Sequence, residues 1–503
     1  MTFPSIDMEA FGENRRASAA VIGGTVALLV ASSIFSIQIW LSTSQSLAME
    51  AEVPGRDGFP SHDALLAAAR ASKVELKGAF ATFDGTPSEL PGAWPAFRGP
   101  LISSIASDTT SLADSWGSDG PEVLWQIRVG DGYAAPVAMN GRVYLMDYDM
   151  ANHSDAIRCL SLDDGQEIWR HSYNVNIRRN HGMSRTIPAV NERYLVVIGP
   201  KCHLVCLDSL SGNFRWGIDL QLDYGTKEPA WYAGQCPIIV DDHVIVAPGG
   251  TDVMMMAVNL DDGEVAWTTP NPKKWHMSHS SISPMTLAGH KMYVYGAEGG
   301  VIGVSAEPDR AGELLWEVPR VGKIVSPSTV QVSDTDVFAT SGYDMGSLLL
   351  RISEDNGNFS VETVYDKGPK EVLSCEQQTP IFHNGLLYGV LPKKAGELSQ
   401  QFVASKPDGT IVWNSGRDNR FGLGPYLLAD NKFYILDDDA TLTMLDATKS
   451  EYTQLGQGPT IAHLDEDGET VLGHDAWGPL ALAGTRLLLR DMNFMACVEL
   501  GAS

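Results

Sequence analysis

The stretch Asp163-Asp164-Gly165-Gln166-Glu167-Ile168-Trp169 returns along the chain, and its recurrence limits what the chain can fold into. Asp261-Asp262-Gly263-Glu264-Val265-Ala266-Trp267 is a close copy. Ser211–Trp216, Gly312–Trp316 and Asp408–Trp413 are looser ones. Each joins a glycine turn to an alternating stretch that ends in Trp, and apolar residues such as Cys159-Leu160 or Ala257-Val258 precede the turn. That pattern reads as strand, tight turn, strand. The tryptophans stand at 125, 169, 216, 267, 316 and 413, so successive gaps are 44, 47, 51, 49 and 97. The last gap is two repeats with one Trp missing. A period of about 48 residues with four short strands per period is the signature of a propeller blade.

Eight blade starts follow from an x-Pro rule: Ala135-Pro136, Ile187-Pro188, Cys236-Pro237, Ser283-Pro284, Ser326-Pro327, Thr379-Pro380, Gly424-Pro425 and Gly478-Pro479. The last repeat stops after its third strand, Ala496–Leu500, while Glu122–Ile127 is a Trp strand with no blade ahead of it. Pairing the two would close the ring and remove an exposed edge. Blades five and seven lack the Trp, so their packing must differ. The expected fold is all-β, an eight-bladed propeller over 96–503.

Before the repeats, no charged residue occurs from Ala17 to Met49, and Val21–Leu41 is long and apolar enough to span a bilayer. Arg15 and Arg16 precede it. The expected order is a cytoplasmic tail (1–16), a transmembrane anchor (17–41) and an extracytoplasmic linker (42–95) with one short helix over Ser61–Val74. This places the protein in the cytoplasmic membrane, N-terminus in, with the propeller in the periplasm. The rival is a signal peptide cut after Ala48. A net charge of −26 argues against nucleic acid as a partner.

The six cysteines show no disulfide framework. Cys159, Cys206 and Cys497 share one repeat position and read as core residues. Cys202, His203 and Cys206 lack zinc-ligand spacing. Asp437-Asp438-Asp439 reads as a turn tip rather than a calcium loop.

Candidate site residues gather in the connections between blades, which emerge nearest the axis on one face. They are Arg179, His181, Trp231, Gln235, Trp275, His276, His279, Glu376, Arg420, His474, Asp475 and Trp477. Four of the 12 histidines and three of the 12 tryptophans fall in these short connections, where blade packing does not require them. Aromatic faces, imidazoles, amides and guanidiniums converging on a funnel suit a small ligand. The bland reading is that they plug the axis and satisfy one another. Arg178, Arg179, Arg185, Lys393 and Lys394 bias this face toward an anionic ligand or an acidic peptide.

Leu162–Trp169 and its copies resemble the blade of the pyrroloquinoline quinone (PQQ)-like β-propeller repeat family, over roughly 95–503. Trp94-Pro95-Ala96-Phe97-Arg98-Gly99-Pro100 and Gly473–Pro479 resemble its membrane-anchored, BamB-like or PQQ-binding-like bacterial subgroup. The resemblance implies a non-catalytic scaffold with envelope or membrane protein partners, in envelope assembly or an electron-transfer complex. Quinoprotein alcohol dehydrogenases belong to the same family, so the alternative is a PQQ-dependent dehydrogenase with calcium. In those enzymes the quinone stacks between a Trp and a disulfide of adjacent cysteines, over calcium held by Glu, Asn and Asp. This chain has no adjacent cysteines, and its candidates do not align with that set. No cofactor is assured by the sequence, and no metal-ligating residue is expected.

Overall fold

In a computed structural model the described residues are Ser32, Ser33, Ser36 and 73–502, apart from 108–109, 118, 321–324 and 465–467. The chain divides into two compact units, 1–65 and 66–503. Of the first, only the three serines are described, each helical and exposed. Apart from those serines the expected anchor, and most of the expected helix, lie outside the described residues. Among the described residues no helix is long and apolar enough to cross a membrane.

The second unit carries eight antiparallel sheets in a ring. Blades one to seven run over 137–174, 189–219, 238–270, 283–320, 330–367, 381–414 and 426–459. The eighth combines 481–499 with Glu122–Arg128, which pairs antiparallel with Phe494–Glu499 and sets Trp125 opposite Cys497. The closing strand is thus the one expected from the unpaired Trp segment. First strands of neighbouring blades touch one another, as Val137–Met139 does with Ala189–Val190 and Ala481–Ala483, so they line the axis. Antiparallel pairing then puts the connections between blades at one end, with the hairpins joining second and third strands. The other two turns of each blade lie at the opposite end.

The recurrent motif explains how blades dock. Trp125, Trp169, Trp216 and Trp267 each reach into the glycine turn of the following blade. The indole Nε1 of Trp125, Trp169 and Trp216 donates to the carbonyls of Leu162, Leu210 and Leu260, at 3.0, 3.2 and 2.8 Å. A Cβ on Gly212 would lie 2.6 Å from the Trp169 ring, and its φ is +72°, so only glycine suits that turn. Blade five departs from the pattern. Its outer strands extend to ten residues each, Gly346–Asp355 and Asn358–Lys367, and displace the tight turn. Trp316 therefore stays in its own blade, donating to Met292 Sδ at 3.3 Å. Where blade five lacks its Trp, Val372 fills the space over Gly409 of blade six. On blade seven Trp116, from ahead of the closing strand, covers Gly456 and Tyr434 instead.

The stretch expected as a linker is partly blade. Ala79–Thr82 adds antiparallel to Glu167–Asn174 as a fifth strand of blade one. Phe80 then lies on Trp169, which the repeat alone does not reveal. Beyond it the chain straps the turn end of the ring. Ser88 bonds Asp163, Trp94 bridges Ala138 of blade one, and Pro95 accepts from Val190 of blade two. Arg98 reaches Pro380 beside blade six, Ile105 bridges Leu428 of blade seven, and Leu112 bridges Gly501 after blade eight. Trp94 and Arg98 are both buried, and the strap covers the axis from below.

Candidate functional site

At the connector end, four of the twelve sequence candidates come together: His181, Trp231, His279 and Trp477. Trp231 stacks on His279, with ring centroids 6.2 Å apart, and His181 stands 6.1 Å from Trp231 and 5.6 Å from Trp477. Two aromatics outside the candidate set complete the cluster. Tyr133 stacks on Trp477 at 5.2 Å, and Tyr343 lies 5.8 Å from Trp231. Tyr133 sits in the connection entering blade one, two residues before Ala135-Pro136, so the rule that found the others also covers it. Tyr343 is on a hairpin between second and third strands, which that rule does not reach.

The backbone here is unusual. His181, Trp231, Tyr232, Tyr343 and Asp475 all have positive φ, between 51° and 75°. Bulky side chains rarely adopt that region, at a cost of roughly 1–3 kcal/mol each, and such residues cluster at binding sites. Tyr232 is held by its hydroxyl, which donates to the Arg178 carbonyl. Trp477 donates through Nε1 to Asp438 Oδ1 at 2.7 Å. Its carbonyl accepts from Gln378 at 2.9 Å.

Charge inside the cluster is controlled by burial. Burial, then the Arg185 guanidinium, pushes the His279 imidazole down to about 3, so it stays neutral at physiological pH. Both its ring nitrogens are covered by protein and neither makes a well-formed hydrogen bond. His181 is pushed down by burial and then by Arg185. Arg185 is the cation at the centre. It lies over Tyr133 at 5.7 Å and donates through Nη2 to the His181 carbonyl at 2.8 Å.

Of the other candidates, Arg179, Glu376 and Asp475 border the cluster without joining its rings, and the rest sit elsewhere. Gln235 is fully buried and latches blade three, bonding Ala247 through both amide atoms and Tyr295 through Nε2. Trp275 packs over Gly299 and Gly300 of blade four with Lys273 above it, and the His276 backbone bridges Glu298. Arg420 ties down blade six through the carbonyls of Arg417 and Ser399. Glu376 lies toward Lys393, Lys394 and Asp344, its carboxyl pushed up by burial. Arg179 pairs with Asp131 at 2.6 Å, and His474 stands 3.7 Å from Asp475.

A profile of the outer membrane protein assembly factor BamB family, built on PQQ-like repeats, matches residues 153–395. This is a PQQ-like β-propeller. A curated relative, the outer membrane protein assembly factor BamB of Moranella endobia (strain PCIT), is 22% identical over 240 residues. That alignment spans 44% of this chain and 56% of the relative, so the propeller covers only about half of the relative's length. Among solved structures, a quinohemoprotein alcohol dehydrogenase from Pseudomonas putida HK5 matches at TM-score 0.55 and 11% identity, over 82% of this chain and 81% of that one. The enzyme of the same kind from Comamonas testosteroni matches at 0.53 and 12%, over 82% and 81%. At such identities the likeness concerns the fold.

Those enzymes raise the question of a quinone on calcium, and the residues of this propeller do not fit it. All six cysteines are free and buried at separate positions, which leaves no adjacent pair to roof a quinone. Glu376 faces lysines on the blade-five and blade-six side, while Asp475 accompanies His474. Among the described residues no group of three or more His, Cys, Asp or Glu is arranged to hold a metal ion.

Proposed function

We propose that this propeller is a binding and scaffold module of envelope assembly that docks a protein partner through its connector face. The observation that carries the reading is the strained aromatic cluster there. It mixes buried rings with exposed ones, His181 and Tyr343 among them, around the Arg185 guanidinium. Aromatic residues with apolar bodies and polar tips serve as anchors at protein interfaces. The BamB family match supports an assembly role. The Arg15-Arg16 pair ahead of Val21–Leu41 supports an anchor in the cytoplasmic membrane with the propeller in the periplasm.

A photo-crosslinking residue at Tyr343, with a second at Leu210 on the opposite end as control, tests the docking face in intact cells. Crosslinks to one defined envelope protein from position 343 and none from 210 are expected. Equal crosslinking from both ends would defeat the reading. Adding PQQ and calcium to the purified chain with an alcohol and a redox dye tests the other class. Saturable, calcium-dependent binding with turnover would replace a scaffold by an oxidoreductase. Protease added to spheroplasts should digest the propeller, and its protection would reverse the orientation.

A further inference from the structure

Three arginines of this propeller are deeply enclosed, and they differ in one respect. Arg98 donates to Ser104 Oγ and to the carbonyls of Ser103 and Pro380. Arg490, wholly buried, donates to four carbonyls: Asp491, Ala134, Gly130 and Met492. Both have several acceptors and lock the strap and the ring closure. Arg185 has one bond, to the His181 carbonyl at 2.8 Å, and its buried Nε has no partner. Among the described residues no carboxylate pairs with it. The titratable acids around it are three tyrosines, Tyr133, Tyr232 and Tyr343, which burial keeps neutral. In a chain of net charge −26, a guanidinium enclosed without a counter-ion is conspicuous.

Enclosing an ion without a partner is costly, and an unpaired donor adds to that cost. Burial duly pulls the Arg185 guanidinium down to about 10. Arg185 is nonetheless only half-buried as a residue, which leaves a ligand a way in. The surrounding rings give any ligand an apolar wall, with Tyr133 on Trp477 at one side and Trp231 on His279 at the other.

We propose that Arg185 is the receptor for one carboxylate carried next to an aromatic or apolar group, such as a free aryl acid or the C-terminal residue of a protein. One guanidinium fork matches one carboxylate through two parallel hydrogen bonds, and the unpartnered Nε is one of the donors available. The rings hold the body of the ligand by stacking. The inference rests on the connector face being the binding face.

The test titrates the full chain with N-acetylphenylalanine and with its neutral amide, read by tryptophan fluorescence and calorimetry. The acid should bind at least about tenfold tighter than the amide, as expected for a charge-assisted pair. Arg185→Met should erase that preference while the melting temperature stays level or rises, since the methionine has no charge to enclose. Tyr343→Ala, at an exposed position, should weaken acid and amide alike. Equal binding of acid and amide by the native chain, or an acid preference that survives Arg185→Met, would overturn the proposal. Displacement of N-acetylphenylalanine by inorganic phosphate at matching concentration would overturn its aromatic half. A pentapeptide ending in Phe that binds tighter than N-acetylphenylalanine assigns the source as a protein terminus, and the reverse assigns a free acid. Loss of crosslinking at Tyr343 with acid binding intact would fail the docking reading alone. Crosslinking retained without acid binding would fail this inference alone.

Discussion

The two ends of this propeller are built by opposite rules. At the turn end, Trp125, Trp169 and Trp216 each hand their N–H to a carbonyl of the next blade, and the strap's Arg98 has three acceptors. At the connector end, the Arg185 Nε, both His279 nitrogens, the Tyr133 hydroxyl and both Asp155 oxygens lack well-formed hydrogen bonds. The backbone there also takes left-handed conformations at His181, Trp231 and Tyr232. The turn end has left-handed residues of its own, Arg98 and Ser104 among them, and an unpartnered Ser209 hydroxyl, but its indoles and its buried arginine are bonded, whereas the enclosed cation of the connector end is left with a single bond. Natural chains depart from local consistency mainly where they function.

The largest effect expected from breaking this contrast lies at the closing strand. Trp125→Ala removes a buried ring and its bond to Leu162, and should cost about 3–5 kcal/mol, read as a fall in the urea midpoint. A cost below about 1 kcal/mol would mean that the last blade closes without that docking. Next, Arg98→Met strands three acceptors under the strap and should cost about 2–3 kcal/mol. Arg185→Met, by contrast, should stay within about 1 kcal/mol of the native chain. Similar losses at both sites in thermal melts would erase the distinction between the ends.

A pH effect comes third. Asp155 lies enclosed beside Tyr173, His203 and Lys201, with Asp219 on the far side of His203. Burial raises its carboxyl from 3.8 to about 7. The folded state therefore keeps a proton that the unfolded chain loses near pH 4, so this group's contribution to stability declines as pH rises from about 4 to 7. Asp155→Asn should raise stability at pH 8 by on the order of 1–2 kcal/mol, read as a higher melting temperature, and flatten the slope between pH 5.5 and 8. Some slope should persist, because Asp437, raised to about 8 mainly by burial and then by Asp439, has the same sign. An unchanged slope in Asp155→Asn would show that the carboxyl is already ionised. The smallest effect is expected at the rim. Arg179→Ala breaks an exposed pair with Asp131 and should change stability by less than about 0.5 kcal/mol. A loss several times larger by thermal melts would make that pair part of the closure.

Much of the site's location was legible and little of its composition. The rule that blades begin at x-Pro placed the connections, and His181, Trp231, His279 and Trp477 do meet there. Gln235, Trp275 and Arg420 sit in equivalent connections and turn into the blades. Spacing along a chain says which end of a blade a residue occupies, but not which way its side chain points once neighbours compete for space. Arg185 was visible only as one cation among several on that face, because its lack of a counter-ion is a property of surroundings drawn from several blades.

By itself the sequence determined the ring: eight blades, the missing tryptophans, and a last blade completed by the strand over Glu122–Ile127. Repeats are decided locally, since a glycine turn and the Trp strand after it build the same unit wherever they recur. Only tertiary structure decided what the stretch before the repeats does. Nothing periodic marks Ala79–Thr82 as a fifth strand or residues 94–107 as a strap, and their partners lie up to hundreds of residues away, as Pro380 does from Arg98. Such contacts depend on the ring already having closed, because the blade edge and the axial opening they cover exist only then.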